Sequence, residues 1–554
     1  MKKEFKNIGL KKEKAVPNER QMEWYQRQGC IFFHFGMNTF TGKEWGDGYE
    51  SPADFNPTEL DVEQWISTIK EAGFTCAILT AKHHDGFCLW QTEYTSHSIK
   101  NSPYKNGKGD IVREFTSACQ KYGIKAGIYL SPWDRHEKTW GKDEYNDFYV
   151  GQLTELLTNY GEIYEVWWDG AGSTEAVYDW ERWAKTVRAL QPNAVIFGSL
   201  GATPWVDVRW VGNEKGIAGK PCYATIDEHS LVVENTSELN RGKLDGERFI
   251  PAEVDVSIRP GWFYHSEQDA DVRDCENLMQ LWFNSIGSNA GFLLNLPPDK
   301  RGLIHENDVK SLLEFKSSLD SLLSNNLAQN CKFSGQSVDN YPLDNLIKKD
   351  KFFVPREKSF EFEVALPKKE KINTLMISEA IELGHKVTKI KASAFVNNTW
   401  QELFVNDIIG YKLAQRFDTV MADRIKVEIT SVDIPALSCF GLYYYEKISE
   451  KSKTKSEKNI LSSSLAQVSA CKNEIDVNLG GIVPFNVIKV KNVGDVSFKL
   501  QIFNGTSLET VNTGNSVDGK IEIFLDTVID YAYRFKIVLD KDICKDIEIQ
   551  AYNT

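Results

Sequence analysis

The sequence is as informative in what it lacks as in what it holds. Its ten cysteines, at 30, 76, 88, 119, 222, 275, 331, 439, 471 and 544, include no C-x-x-C pair. They therefore read as buried free thiols rather than a zinc site or a disulfide framework. No H-E-x-x-H occurs, which removes the commonest helical zinc-hydrolase signature. No apolar run approaches the length of a bilayer-spanning helix, so no membrane association is expected. Basic excess is missing too. A net charge of -13 over 554 residues argues against a nucleic-acid partner or an anionic membrane surface. The opening MKKEFKNIGLKKEKAVPNER has basic residues but no apolar h-region. The expectation is a cytoplasmic protein if the chain is complete as given, and a periplasmic or secreted one if a signal peptide was removed.

What is present is unevenly spread. Fourteen of the fifteen tryptophans precede residue 300, and only two of the nine histidines follow residue 280. The aromatic, histidine-bearing part is where small-molecule chemistry is expected. The later part is rich in Val, Ile, Thr, Lys and Asn, as β-sandwiches are. Lys447 to Lys458 (KISEKSKTKSEK) has almost no apolar content and reads as a linker. The chain is too long for one ordinary core. Three domains are expected, over 1–335, 336–450 and 451–554.

Within the first part, short apolar runs alternate with helical patterns. Strands are predicted at Cys30–Gly36, Thr75–Thr80, Ile124–Leu130, Ile163–Asp169, Ala194–Phe197, Val208–Val211, Ala252–Val256 and Phe292–Leu296. Helices are predicted near 21–30, 61–73, 110–122, 144–160, 175–190 and 269–286, with Gly73 and Gly123 as stops. Eight strands, most separated by helices over about 300 residues, predict a (β/α)8 TIM-like barrel. The crossovers from the fifth to the seventh strand are irregular. β-Sandwich domains are expected to follow.

In such barrels chemistry sits at the carboxyl ends of the strands. Those ends are His34, His83 and His84, Tyr129, Trp167 and Asp169, Glu214, and Glu253. Polar and aromatic groups at six strand ends point to one small-molecule site. Each group also has a plainer reading. His34, in IFFHFG, fits a satisfied core histidine. His83 and His84 are adjacent, whereas barrel metal sites use an alternate H-x-H spacing on one strand face. They suit hydrogen bonding to sugar hydroxyls better than metal ligation. Trp167 and Trp262 fit either a core or a platform for the C–H face of a pyranose. Arg259 fits either a neutraliser of a catalytic acid or a partner of a surface carboxylate.

His34 in FFHFGMNTF, Glu44-Trp45-Gly46, AKHHDGF, YLSPWD, VWWDG and FLLNLPPD occur in that order over about residues 20–300. As a set they resemble glycoside hydrolase family 29, the retaining α-L-fucosidases. The resemblance implies that Asp169 is the nucleophile and that His34, Glu44, Trp45, His83, His84, Tyr129 and Trp167 contact fucose. Arg259 and Trp262 join the candidate substrate-binding set. The segment Trp210-Val-Gly-Asn-Glu-Lys-Gly216, with AEVDVSIRPGWFYH, resembles the subfamily that prefers branched α-1,3/1,4-fucosides. There the acid/base is the Glu of the first motif, here Glu214, with Glu253 as the alternative. The implied activity is an exo-acting, retaining fucosidase acting on Lewis-type glycans through two carboxyl groups, with no metal and no cofactor. The competing readings are a fucosidase of broad or α-1,2 preference, a non-catalytic carbohydrate-binding barrel, a metal-dependent barrel hydrolase, and a glycosidase for another sugar. Residues 340–446 resemble, in pattern, the galactose-binding-like β-sandwich known as the discoidin or coagulation-factor C-type module.

Overall fold

The structure, a computed structural model, describes residues 10–27, 29–171, 176–228, 236–446, 461, 466–479, 485–503, 508–529, 534–542 and 547–552. The predicted linker at Lys447–Lys458 lies outside these residues, as does Gly172.

Eight parallel strands close a barrel in sequence order: β1 Cys30–Phe33, β2 Cys76–Lys82, β3 Lys125–Leu130, β4 Glu165–Trp167, β5 Val195–Gly198, β6 Val208–Trp210, β7 Ala252–Ser257 and β8 Gly291–Asn295. β1 pairs with both β2 and β8. The strands are short and nearly continuously apolar because both faces are covered. The helices between them start where the sequence offers a cap. Asp61 accepts from Gln64 N at the start of α3 (Val62–Glu71). Asp110 does the same for α4 (Ile111–Tyr122), and Asp179 for α6 (Trp180–Leu190). The fifth and sixth crossovers depart from the pattern. A 3-10 helix, Leu200–Trp205, joins β5 to β6, and a two-stranded ribbon, 225–226 with 248–249, lies between β6 and β7 with α7 (Thr236–Arg241).

Alternate side chains of β7 point inward and stack the barrel interior in layers. Glu253 lies near the floor, Asp255 above it, and Ser257 at the mouth. The floor is sealed by Arg27, which follows α1 (Glu19–Gln26) and is ion-paired to both Glu165 and Glu253. The middle is aromatic: Phe32, Tyr129, Trp167 and Phe197 pack as one cluster, with Trp167 stacked on Phe197 at 4.0 Å between ring centroids.

Beyond α9 (Glu306–Ser324) come two β-sandwich-like units, each with its own apolar core. The first is a six-stranded antiparallel sheet whose opening strand, Lys332–Gly335, pairs with Ser359–Glu379. The second has a five-stranded and a three-stranded sheet over 467–552. Among the described residues no helix is long and apolar enough to cross a membrane. Cys30, Cys76, Cys88, Cys119, Cys222 and Cys275 are buried free thiols as expected, but Cys439 is exposed.

Candidate active site

The carboxyl ends of the strands converge on one cluster of polar and aromatic groups. Asp169 stands two residues beyond β4. Its Oδ2 accepts from the Tyr129 hydroxyl at 3.0 Å and its Oδ1 from Ala171 N at 2.8 Å. His84 Nε2 is 3.8 Å from Oδ2.

The three histidines are buried and neutral. Burial lowers His34 to about 3 and His84 to about 4, and holds His83 well below its ordinary range. Their tautomers follow from their partners. Asn295 Nδ2 donates to Ser257 Oγ and to Trp262 O, so its Oδ1 is an acceptor, 2.9 Å from His34 Nδ1. His34 Nδ1 must then carry the proton, leaving Nε2 as an acceptor. Ser131 gives its proton to Trp133 O and lies 2.7 Å from His84 Nδ1, so His84 too keeps an accepting Nε2. Both Nε2 atoms are therefore acceptors and not donors. The donors that Asp169 has are a phenol and a backbone amide instead.

Glu44 is held by the loop after β7. Its carboxylate accepts from Trp262 N at 2.8 Å, Phe263 N at 3.4 Å and His265 Nε2 at 2.6 Å. The backbone of the loop that carries Glu44 and Trp45 is pinned by Arg135 Nη1 to Gly46 O and by His136 Nδ1 to Gly48 O. Trp45 is 47% exposed, edge-on to Trp133 and His84. Trp262 is half-buried, with its ring 5.1 Å from that of His34.

Glu214 lies in the turn after β6. The glycines of Trp210-Val-Gly-Asn-Glu-Lys-Gly216 have a physical cause. Gly212 and Gly216 both adopt positive φ, and a Cβ on Gly216 would sit 2.2 Å from Leu281 Cδ2. Asn213 Oδ1 accepts from Lys215 N, and Asn213 Nδ2 donates to Ile217 O, closing the turn. Glu214 Oε2 is buried without a hydrogen-bond partner among the described residues. Burial, then the charges of Asp255, Asp169 and Glu44, raise this carboxyl well above the usual range.

Two expected site residues lie elsewhere. Glu253 was read as a strand end, but it is the second residue of β7 and opposes Gly291, the first residue of β8. It sits at the floor with Arg27 and accepts from the Trp24 indole at 3.3 Å. Arg259 is wholly buried and gives its donors to Asp308 and Asp269, tying the loop after β7 to α9. Its Nε, Nη1 and Nη2 are all engaged in these ion pairs. Trp167 is packed among barrel aromatics and is 5% exposed, so it forms the bed beneath the site. Asn295, His265 and Asp255 lie within motifs quoted above that do not mark them individually. Asp255 shares an inward face with Glu253 by simple alternation, the one signal that could have found it.

Ligand atoms of Cys30, Cys76 and Glu165 lie within 4.8 Å of one another. The Arg27 guanidinium already supplies the cation at that floor position.

A sequence model of the alpha-L-fucosidase family matches residues 12–320. The chain belongs to the alpha-L-fucosidase family. "Alpha-L-fucosidase 1" of Arabidopsis thaliana is 40% identical over 448 residues, which are 77% of this chain and 87% of the plant protein. A glycoside hydrolase family 29 fucosidase of Ruminococcus gnavus, solved in complex with fucose, is 31% identical with a TM-score of 0.73. It covers 79% of this chain and 97% of its own. A family 29 member from an unknown rumen bacterium is 29% identical with a TM-score of 0.71, and covers 98% of this chain and all of its own. This fucosidase is therefore a glycoside hydrolase built on the barrel described above. The competing readings of a non-catalytic barrel and of a glycosidase for another sugar lose their footing.

Proposed function

We propose that this alpha-L-fucosidase releases L-fucose from α-1,3/1,4-fucosylated, Lewis-type glycans by double displacement, with Asp169 as nucleophile and Glu214 as acid and then base. The observation that carries this reading is the contrast between the two carboxyl groups. Asp169 is accessible at the mouth and is oriented by Tyr129 and Ala171. Burial and neighbouring carboxylates push the Glu214 carboxyl up, and its Oε2 has no hydrogen-bond partner among the described residues. A pair whose surroundings differ in this way divides the labour of retaining hydrolysis. Asp169 attacks the anomeric carbon as Glu214 protonates the leaving oxygen. Water, deprotonated by Glu214, then opens the ester and releases fucose. The accepting Nε2 atoms of His34 and His84 suit two fucose hydroxyls, and Trp45, Trp262 and Glu44 rim the same space. Fucose bound to the Ruminococcus relative supports a fucosylated substrate. Glu253 is the alternative acid/base; burial pushes its carboxyl up against the opposing charge of Arg27, but it sits early in β7 at the barrel floor, tied to Arg27, whereas Glu214 stands in the turn after β6. The linkage preference rests on the resemblance of the Trp210–Gly216 motif. The division at 335 and 450, with a galactose-binding-like middle unit, completes the reading.

The decisive experiment compares leaving groups. Glu214→Gln should slow Lewis-type trisaccharides by roughly a thousandfold while sparing nitrophenyl fucoside, and azide should restore turnover. Asp169→Asn should lose both substrates. If Glu253→Gln shows the leaving-group profile instead, the acid/base assignment fails. Faster cleavage of 2'-fucosyllactose than of branched trisaccharides would overturn the linkage.

A further inference from the structure

Two of the motifs each hold a charged residue that the site leaves without a task, Lys82 in AKHHDGF and Asp134 in YLSPWD. The structure pairs them. Lys82 ends β2, and its Nζ donates to Asp134 Oδ2 at 2.8 Å and to Gln152 Oε1 at 3.0 Å. The two charged side chains are 0% and 2% exposed. Burying such a pair is costly unless further hydrogen bonds satisfy it. Asp134 has them: its Oδ1 accepts from His136 N at 3.0 Å and from Glu137 N at 2.9 Å. The neighbouring amide, Arg135 N, donates to His84 O at 2.9 Å. Three successive amides of the loop after β3 are thus fixed by buried groups. The side chains of Arg135 and His136 are exposed, yet both turn back onto the chain. Arg135 Nη1 donates to Gly46 O at 2.5 Å, and His136 Nδ1 to Gly48 O at 2.7 Å. The His136 ring lies flat on that of His97, with centroids 4.2 Å apart. Neither bonded position has room for a side chain. A Cβ on Gly46 would be 2.6 Å from Asp85 Cβ, and one on Gly48 2.5 Å from the Arg135 carbonyl carbon.

We propose that Arg135 and His136 are positioning residues that hold Trp45 in place for fucose, with the Lys82–Asp134 pair as their fixed base. The inference rests on Trp45 as a wall of the fucose site. The loop after α2 (Met37–Thr41) carries two groups toward that site, and they are held differently. Glu44 has its own anchors in the loop after β7. Trp45 is half-exposed, and its ring meets those of His84 and Trp133 edge-on, at 5.9 and 5.5 Å between centroids. Burial therefore does little to fix it. The backbone that follows it, from Gly46 to Gly48, is the stretch that Arg135 and His136 grip. Arg135 adds a second hold, its guanidinium lying 5.2 Å from the centroid of the Trp133 ring. A ring already in place in the free enzyme need not be ordered when sugar binds, and the difference appears as affinity. Both residues act through the loop and exchange nothing with the substrate.

The test is inhibition by L-fucose, read beside the kinetics of nitrophenyl fucoside and the melting temperature of the free protein. Arg135→Ala with His136→Ala should raise the Ki of L-fucose about threefold to tenfold, the effect of having to order one side chain on binding. KM should rise with it while kcat stays within about twofold, as loss of uniform binding requires. Because both side chains are exposed, melting should stay within about 2 °C of the parent. In a Trp45→Ala background the same two substitutions should leave Ki unchanged, since the group they position is gone. An unchanged Ki in the first case, or an undiminished rise in the second, would overturn the proposal. So would a rise in Ki accompanied by melting several degrees lower, the mark of a merely structural role. Arg135→Ala alone serves if the double variant does not fold, with the same outcomes. The two readings fail separately. If Trp45→Ala by itself leaves Ki unchanged, the placing of Trp45 at the fucose site falls. If it raises Ki and the Arg135 and His136 substitutions do not, only the role of those two residues falls.

Discussion

A single phenol illustrates how much of the site depends on second contacts. Tyr129 is fully buried, and its hydroxyl reaches Asp169 Oδ2. Without it Oδ2 keeps only His84, 3.8 Å away and lacking a proton on the facing nitrogen. A hydrogen bond to a charged group contributes roughly 1.5–3 kcal/mol. Tyr129→Phe should accordingly lower kcat by about tenfold to a hundredfold with little change in melting temperature. A change confined to KM would show that the phenol binds sugar instead. At this scale the strand-end rule locates His34, His83, His84, Tyr129 and Asp169 at the carboxyl ends of β1 to β4, where each lies in or directly after an apolar run. It failed for Glu253, where the run Ala252–Val256 was taken for the end of a strand that had only begun. It was silent on Asn295 and His265, whose parts are to fix a tautomer and to brace Glu44. Those roles depend on pairings more than two hundred residues apart, which no local pattern encodes.

The elements of the barrel were legible where caps and apolar runs coincide, as at Asp61, Asp110 and Gly123. The ribbon at 225–226 and 248–249 was not, since two-residue strands carry no period and pair across a loop. Nor was the docking of α1, whose following residue, Arg27, closes the floor. Arg27 bonds Glu165 of β4 and Glu253 of β7 while its guanidinium lies 5.0 Å from the Trp24 ring centroid. Removing one partner of a buried ion pair costs about 3–5 kcal/mol, because the other charge is left uncompensated. Arg27→Met should therefore melt well below the parent, and the deficit should depend on pH. Burial places folded Glu165 at about 8, above its ordinary 4.5, even with Arg27 opposing the shift. A raised acid contributes its stability below the unfolded value, and that stability is lost as pH rises through the folded one. Without Arg27 the folded value climbs further, so stability keeps falling where the parent has levelled. The gap should be narrowest near pH 5 and widest above about pH 8. A constant gap across that range of melting curves would rule out the ion-pair account.

Across the whole molecule, the two later units relate differently to the barrel. The unit over 332–446 shares buried contacts with it. Tyr445 donates to Glu276 Oε2 at 2.8 Å, and Arg416 lies 3.3 Å from Glu276 Oε1. The buried amide of Ala224 donates to His385 Nε2 at 2.9 Å. Tyr411 stacks on Tyr25 with ring centroids 4.5 Å apart, while its backbone N donates to Asn289 at 2.7 Å. Met376, Ala414, Tyr443 and Tyr445 belong to the barrel's own apolar cluster. A chain ended at residue 335 would leave Ala224 N, Glu276 and Asn289 without these partners, each at a cost of about 1–3 kcal/mol. It would also bare the apolar faces of α8 (Cys275–Asn284) and Tyr25. That truncation should be insoluble or unfold far below the parent. Ending the chain at residue 450 retains every contact just named. The core of the last unit, from Ile475 to Ala551, is closed on itself, and only one tryptophan, Trp400, follows residue 300, which leaves that unit poorly supplied with rings for stacking on sugars. The shorter chain should keep the full-length kcat/KM on a Lewis-type trisaccharide and the same melting temperature for the barrel. A marked loss of either would assign the last unit a part in catalysis or in bracing the barrel.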